Sequence, residues 1–174
     1  MASRNLSDLQ STVADKARRV IDICKNEGVD LLVYCTLRSP EEQAKLFRQG
    51  RSWAQIKKKM DRLYKKGFTD LSELIESVGP QHGKRKVTNA GPGESWHNFG
   101  EAFDAVPVVG GKALWNDVER YKVYGKAVVE CGLTWAGNWK TFREYPHAQN
   151  RNTGNPLKVL LPLEIREYLN TWTR

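Results

Sequence analysis

The sequence predicts an α+β fold, in which helices surround a small antiparallel β-sheet within one domain spanning residues 1–174. Three observations predict it. Apolar residues recur at helical spacing in five segments and a Ser-Pro start opens a sixth helix; short β-prone runs, above all 102–109, lie between them; and Gly110-Gly111 reads as a tight hairpin, which makes the strands it joins antiparallel. A chain of 174 residues suits a single domain, and 40% hydrophobic residues with six Trp provide for a core.

The elements follow in order. Ser7 and Gln10 have the spacing of a capping box, and Leu9, Val13, Ala17, Val20 and Cys24 then recur along one helical face until Gly28 stops it. Residues 31–36 form a strand. In Ser39-Pro40-Glu41-Glu42 a hydroxyl cap and a Pro in the first turn open a second helix, which Gly50 closes. A basic helical insertion occupies about 51–86. Trp53, Ile56, Met60 and Leu63 mark its first helix; Leu71, Leu74, Ile75 and Val78 mark its second, with Gly67 between. Lys57, Lys58, Lys59, Arg62, Lys65 and Lys66 make the first helix strongly positive, as either a solvated face or a docking surface.

Further on, the loop-forming stretch Asn89-Ala90-Gly91-Pro92-Gly93-Glu94 places His97 on a turn entering the strand 102–109. After the Gly110-Gly111 hairpin the chain returns through Lys112, Ala113 and Leu114. A helix over 116–131 follows, with Val118, Tyr121, Tyr124 and Val128 inward and Gly132 as its stop. Residues 133–135 form a short strand. Pro162 opens a last helix carrying Ile165, Leu169 and Trp172.

Composition narrows the setting. The 28 Lys+Arg against 20 Asp+Glu give a net charge of +8, enough to attract a polyanion. Cys24, Cys35 and Cys131 are odd in number, widely spaced and set among apolar residues, which predicts buried free thiols. The first residues lack the apolar core of a signal peptide and no later run is long enough to span a membrane, so synthesis in the cytoplasm is expected.

His97, Asp104 and His147, with Glu144 three residues before the last, carry the chemistry. A catalytic zinc takes three protein ligands and keeps a fourth position open. Two imidazoles and one carboxylate meet that requirement, and a further carboxylate can serve as general base. Asp104 falls inside the apolar strand 102–109, where a carboxylate is costly unless a cation or a salt bridge compensates it. Pro146 disfavours a helix at Tyr145, so Glu144 and His147 can be brought together by a bend and not by a shared helix face. His82, in Gly79-Pro80-Gln81-His82-Gly83, reads as an ordinary loop histidine.

These residues fit a known pattern. Ser95-Trp96-His97-Asn98-Phe99-Gly100-Glu101-Ala102-Phe103-Asp104 resembles the SxHxxGxAxD motif, and Glu144-Tyr145-Pro146-His147 the later ExxH element, of the zinc peptidases that include D-alanyl-D-alanine carboxypeptidases and phage L-alanyl-D-glutamate endolysins. Thr36-Leu37-Arg38-Ser39 with Glu42-Gln43, then Val87-Thr88-Asn89-Ala90, then Trp135-Ala136-Gly137-Asn138-Trp139 extend the resemblance over most of residues 6–150. The chain departs from the pattern at Ala148-Gln149, where an aromatic is expected beside the metal histidine, and in the longer charged segment between Gly50 and Val87.

The resemblance implies a zinc peptidase domain in which His97, Asp104 and His147 ligate Zn2+, Glu144 acts as general base and then acid, and Arg38 holds the scissile carbonyl oxygen or the developing oxyanion. Ser95 and Trp139 are expected to shape the substrate pocket. The implied substrate is bacterial peptidoglycan, cleaved at the L-alanyl-D-glutamate bond of the stem peptide by a phage-type endolysin. A D-alanyl-D-alanine carboxypeptidase or dipeptidase, and a noncatalytic module for polyanion or wall, are the alternatives. Electrostatic contact with an anionic wall or outer-membrane surface, no nucleic acid, a monomer, and holin-type release to the wall complete the expectation.

Overall fold

A computed structural model describes residues 2–170. In chain order its elements are α1 (Ser11–Asn26), β1 (Asp30–Cys35), α2 (Pro40–Arg48), α3 (Trp53–Lys65), α4 (Thr69–Ser77), β2 (Ala102–Val109), β3 (Lys112–Ala113), α5 (Val118–Glu130), β4 (Thr134–Trp135), β5 (His147–Gln149) and α6 (Pro162–Asn170). The expected α+β class holds. The chain forms two compact units: a sheet unit of residues 2–37 and 99–152, and a helical unit of residues 38–98 and 153–170.

The sheet unit contains all five strands, in the order β1-β2-β5-β4 with β3 also on β2, every pairing antiparallel. Gly110 and Gly111 both adopt positive φ and join β2 to β3, as the hairpin reading requires. Helices α1 and α5 pack on the sheet and on each other. The α1 stripe of Leu9, Val13, Ala17, Val20 and Cys24 is buried with Phe103, Val106, Tyr124 and Val128 in one core, where each large apolar side chain contributes about 1.5–3 kcal/mol by leaving water. All three cysteines are buried and none forms a disulfide.

The capping box expected at Ser7 and Gln10 does not form. Ser7 lies in a separate 3₁₀ turn, Leu6–Asp8, capped by the Asn5 side chain, and α1 starts at Ser11 with no side-chain cap. Tertiary bonding takes Gln10 instead: its amide donates to the Phe99 carbonyl at 3.1 Å and its backbone N–H to that of Gly100 at 3.0 Å. Similarly α5 begins at Val118 rather than 116, because the Asp117 carboxylate caps the Arg120 N–H, and Val118 in its first turn is exposed. Strand β4 excludes Leu133, though that residue is buried.

The helical unit stacks α4 against α2 and α3. Ser39 caps α2 through the Glu42 N–H, with Pro40 at its first position, and Ser52 with Gln55 forms a capping box on α3. Ile56, Leu63, Leu71 and Ile75 are buried as their spacing predicts. Trp53 is not; it stands half exposed at the first position of α3, and the Arg48 guanidinium lies 5.6 Å from its ring. Within α6 Ile165 is buried as expected; the Leu169 side chain and Trp172 fall outside the described residues. Among the described residues no helix is long and apolar enough to cross a membrane.

Candidate active site

The sheet unit positions Asp104, His147 and Glu144. Asp104 on β2 is paired directly with His147 on β5 and with Cys35 on β1. Directly opposed residues of antiparallel strands point to the same face, so one carboxylate is flanked by an imidazole and a thiol. Asp104 Oδ1 lies 3.0 Å from His147 Nδ1, and its carboxylate lies within 4.8 Å of Cys35 Sγ. All three are buried. A register shift between Val33 and Cys35 places Cys35 opposite Asp104.

The other face of the imidazole is also fixed. His147 Nε2 is 3.0 Å from Gln149 Oε1, and the Gln149 amide nitrogen donates to the Arg151 carbonyl at 2.6 Å. That second bond sets the amide orientation, so Oε1 accepts from Nε2–H. In the neutral form, with its proton on Nε2, His147 would present the Nδ1 lone pair to that carboxylate oxygen. Two lone pairs at that separation repel unless a cation lies beside both. Neighbouring ligand atoms around a tetrahedral zinc, with bonds near 2.0 Å, are roughly 3.3 Å apart, so this pair has the chemistry and nearly the spacing of two metal ligands. A hydrogen bond from the far ring nitrogen is the usual way a protein orients a ligating histidine. Gln149 escaped the sequence reading, although alternation along a strand puts residue i+2 on the face of residue i.

Glu144 and His147 are set by a turn and not by a helix, as Pro146 predicts. The His147 N–H donates to the Glu144 carbonyl at 3.3 Å, and the Glu144 N–H to that of Ala136 at 3.3 Å. Inside the turn, Tyr145 O accepts from the Trp135 indole at 2.8 Å, and Pro146 O from the Tyr124 hydroxyl at 3.0 Å and the Ala105 N–H at 3.1 Å. Gly137 of the Trp135 landmark and Gly125 of α5 have one steric reason: a Cβ on either would sit 2.2 Å from the Trp135 ring. The Trp139 ring lies 5.8 Å from that of His147.

Burial, then the Asp104 charge, pushes the Tyr121 hydroxyl up to about 12. Tyr34 is raised further, by burial first and then by Asp104, Tyr121, Cys35 and Glu144, so the charges of Asp104 and Glu144 act on one and the same phenol.

The helical unit positions His97 and Arg38. His97 is buried on the 3₁₀ turn Trp96–Phe99, and its carbonyl accepts the Arg38 N–H at 3.0 Å. Asn98 reinforces the pairing, its amide donating to Arg38 O at 2.8 Å and its Oδ1 accepting from the Gly93 N–H at 3.0 Å. The Arg38 guanidinium donates to Gln43 Oε1 at 2.8 Å, and the Gln43 amide to Ala90 O at 2.8 Å. The landmarks around Arg38, Gln43 and Ala90 are therefore one relay that holds a guanidinium. Ser95 is half-buried and its carbonyl closes the turn by accepting from Asn98 N–H at 3.0 Å.

The loop before His97 has an anchor that spacing did not reveal. Glu94 is buried and ion-paired with Lys59 and with Arg62, the latter at 2.7 Å, and it accepts the Gly91 N–H at 2.8 Å. The positive face of α3 is thus not uniform, because Lys59 and Arg62 hold this loop. Burial works against the Glu94 charge, but Lys59, Gly91 and Arg62 outweigh it and keep the carboxyl below its ordinary value of 4.5. A lowered native pKa stabilises the fold above the unfolded-state value, and that stability disappears as pH falls through the native one. Glu94→Gln should therefore unfold more easily than the parent at pH 7, by about 3 kcal/mol on the scale of broken buried pairs. The gap should be full above pH 4.5 and close below it. Denaturant titrations at pH 7 and pH 3 check this; an equal gap at both would remove Glu94's charge from the explanation.

Comparison with known proteins shows what the chain is similar to. A family model described as D-alanyl-D-alanine carboxypeptidase matches residues 88–150. The peptidoglycan L-alanyl-D-glutamate endopeptidase CwlK of Bacillus subtilis (strain 168) is 31% identical over 152 residues, covering 82% of this chain and 74% of that protein. The L-alanyl-D-glutamate peptidase of Listeria phage A118 is 22% identical over 147 residues, covering 83% of this chain and 39% of that protein. Among solved structures, the LdcB LD-carboxypeptidase is similar in fold at a TM-score of 0.50 and 20% identity, over 93% of this chain and 68% of that one.

Proposed function

The chain belongs to the family of zinc peptidases that contains D-alanyl-D-alanine carboxypeptidases and L-alanyl-D-glutamate endopeptidases, and from that premise we propose that it cleaves the L-alanyl-D-glutamate bond of the peptidoglycan stem peptide. It is a metallopeptidase of peptidoglycan. The observation that carries the choice of bond is the match to the Bacillus endopeptidase over 152 residues. That the family model is described as a carboxypeptidase supports the second reading, removal of a terminal D-alanine.

The proposed ligands are His97, Asp104 and His147. When bound, zinc supplies Lewis acidity, which polarises a carbonyl and acidifies a water molecule. Glu144, carried on the turn three residues before His147, takes the proton of the attacking water and returns it to the leaving amine. Arg38, its guanidinium held by Gln43, donates to the carbonyl oxygen as negative charge develops there. Gln149 Oε1, accepting from Nε2–H, would orient the neutral His147 ring with Nδ1 available as the ligand. Ser95 and Trp139 border the substrate.

The endolysin reading rests on the likeness to the phage peptidase, of whose length this chain spans 39%. It includes action on the wall as a monomer after holin-type release. Mass spectrometry of fragments from purified peptidoglycan tests the choice of bond. New D-glutamate N-termini with L-alanine left on the muramyl side are expected; free D-alanine as the sole product would establish the second reading.

A further inference from the structure

Lys57, Lys58 and Lys65 of α3, with Lys66 at its end and Lys86 from the loop after α4, line an open groove of about 910 Å³ in the helical unit. Among the described residues none of these five side chains has an ion-pair or hydrogen-bond partner, whereas Lys59 and Arg62 at the same groove are paired with Glu94. The lining contains a single carboxylate, Asp61. Neighbouring like charges on a helix repel. A concave arrangement of them also focuses positive potential more strongly than a convex solvated face does.

The chemistry of the lining selects among anions. Lysine ammoniums are point charges on flexible stems and lack the planar fork that reads a single carboxylate or phosphate in one pose. Five of them along a groove suit a flexible chain of repeated monoanions. A single-stranded nucleic acid would want an aromatic platform for its bases. The one aromatic residue in the lining is Phe47, and its ring has the Arg51 guanidinium 4.1 Å away and the Lys59 ammonium 5.0 Å away.

We propose that this groove binds a phosphodiester-linked polyol polymer of the bacterial wall, of teichoic-acid type, and so docks the peptidase on its substrate. The proposal rests on the peptidoglycan reading above. Lys59 is left out of the docking set because its loss would release Glu94.

The test compares the whole chain with a variant carrying Lys57→Gln, Lys58→Gln, Lys65→Gln and Lys66→Gln, and with one carrying Arg at the same four positions. Each is sedimented with Gram-positive walls, intact or stripped of phosphate polymers by hydrofluoric acid, across a salt series, and each is assayed on a soluble stem peptide. The parent should bind intact walls roughly tenfold better than stripped walls at about 50 mM salt, with the advantage falling steeply as salt rises. The Gln variant should lose that advantage, the Arg variant should keep it, and all three should hydrolyse the short peptide alike. Equal binding of intact and stripped walls by the parent, or of intact walls by parent and Gln variant, overturns the proposal. So does tighter binding of single-stranded DNA than of the purified polymer. If the fourfold variant fails to fold, replacing Lys57/Lys58 and Lys65/Lys66 separately should each give a partial loss. Failure of the parent to cut any stem peptide would strike the peptidase reading while leaving the sedimentation result to judge the groove.

Discussion

His147→Ala should lose both its metal and its activity, where the parent carries about one zinc per chain. The Gln149 amide, fixed by Arg151 O, accepts from His147 Nε2–H, and Nδ1 on the other side of the ring lies 3.0 Å from a buried carboxylate oxygen. A divalent cation satisfies both atoms at once. His97→Ala should behave in the same way if its imidazole completes the ligand set. Gln149→Leu is expected to keep the fold while metal affinity falls roughly 10–100-fold, the usual consequence of deleting the partner of a ligating histidine. Metal content by mass spectrometry and competition with a chelator read these effects. Full hydrolysis after exhaustive chelation would sink the metal mechanism; unchanged affinity in Gln149→Leu would remove only the orienting role.

Glu144→Gln should keep the metal and the fold and lose on the order of 10²–10⁴-fold in turnover, the range for a missing general acid–base group. The substitution preserves shape and hydrogen-bonding capacity while removing the group that shuttles the proton. The turn is held by groups other than that side chain as well: Trp135, Tyr124 and the Ala105 N–H bond the Tyr145 and Pro146 carbonyls. The loss should appear in kcat far more than in KM, since Glu144 is asked to move a proton and not to bind substrate. Parent-like turnover in this variant would show that another group is the base. Loss of zinc would instead place Glu144 among the ligands.

Sequence by itself determined most of the elements and named the residues proposed for the chemistry. Helical periodicity located the buried faces of α1, α3 and α4, the Ser39-Pro40 start fixed α2, and Gly110-Gly111 set the hairpin, because each depends on local conformational preferences of a few adjacent residues. The bend at Pro146 was legible for the same reason. Local signals failed where distant groups competed for a side chain: Gln10 left its cap for the Phe99 carbonyl, Trp53 stayed at the surface beside Arg48, and Lys59 left the solvated face to pair with Glu94.

Register across the sheet belonged to the tertiary structure alone. Pairing of β1, β2 and β5 puts Cys35, Asp104 and His147 on one face, although they are far apart along the chain. The same pairing gives Gln149 its place beside His147; within the helical unit, Gln43 and Ala90 support Arg38 only once α2 and the loop before His97 are folded. Motif spacing names residues able to hold a proton or a metal. Which atoms face one another is decided by strand register and by the hydrogen bonds behind each ring and guanidinium, and these form only when segments distant in sequence pack.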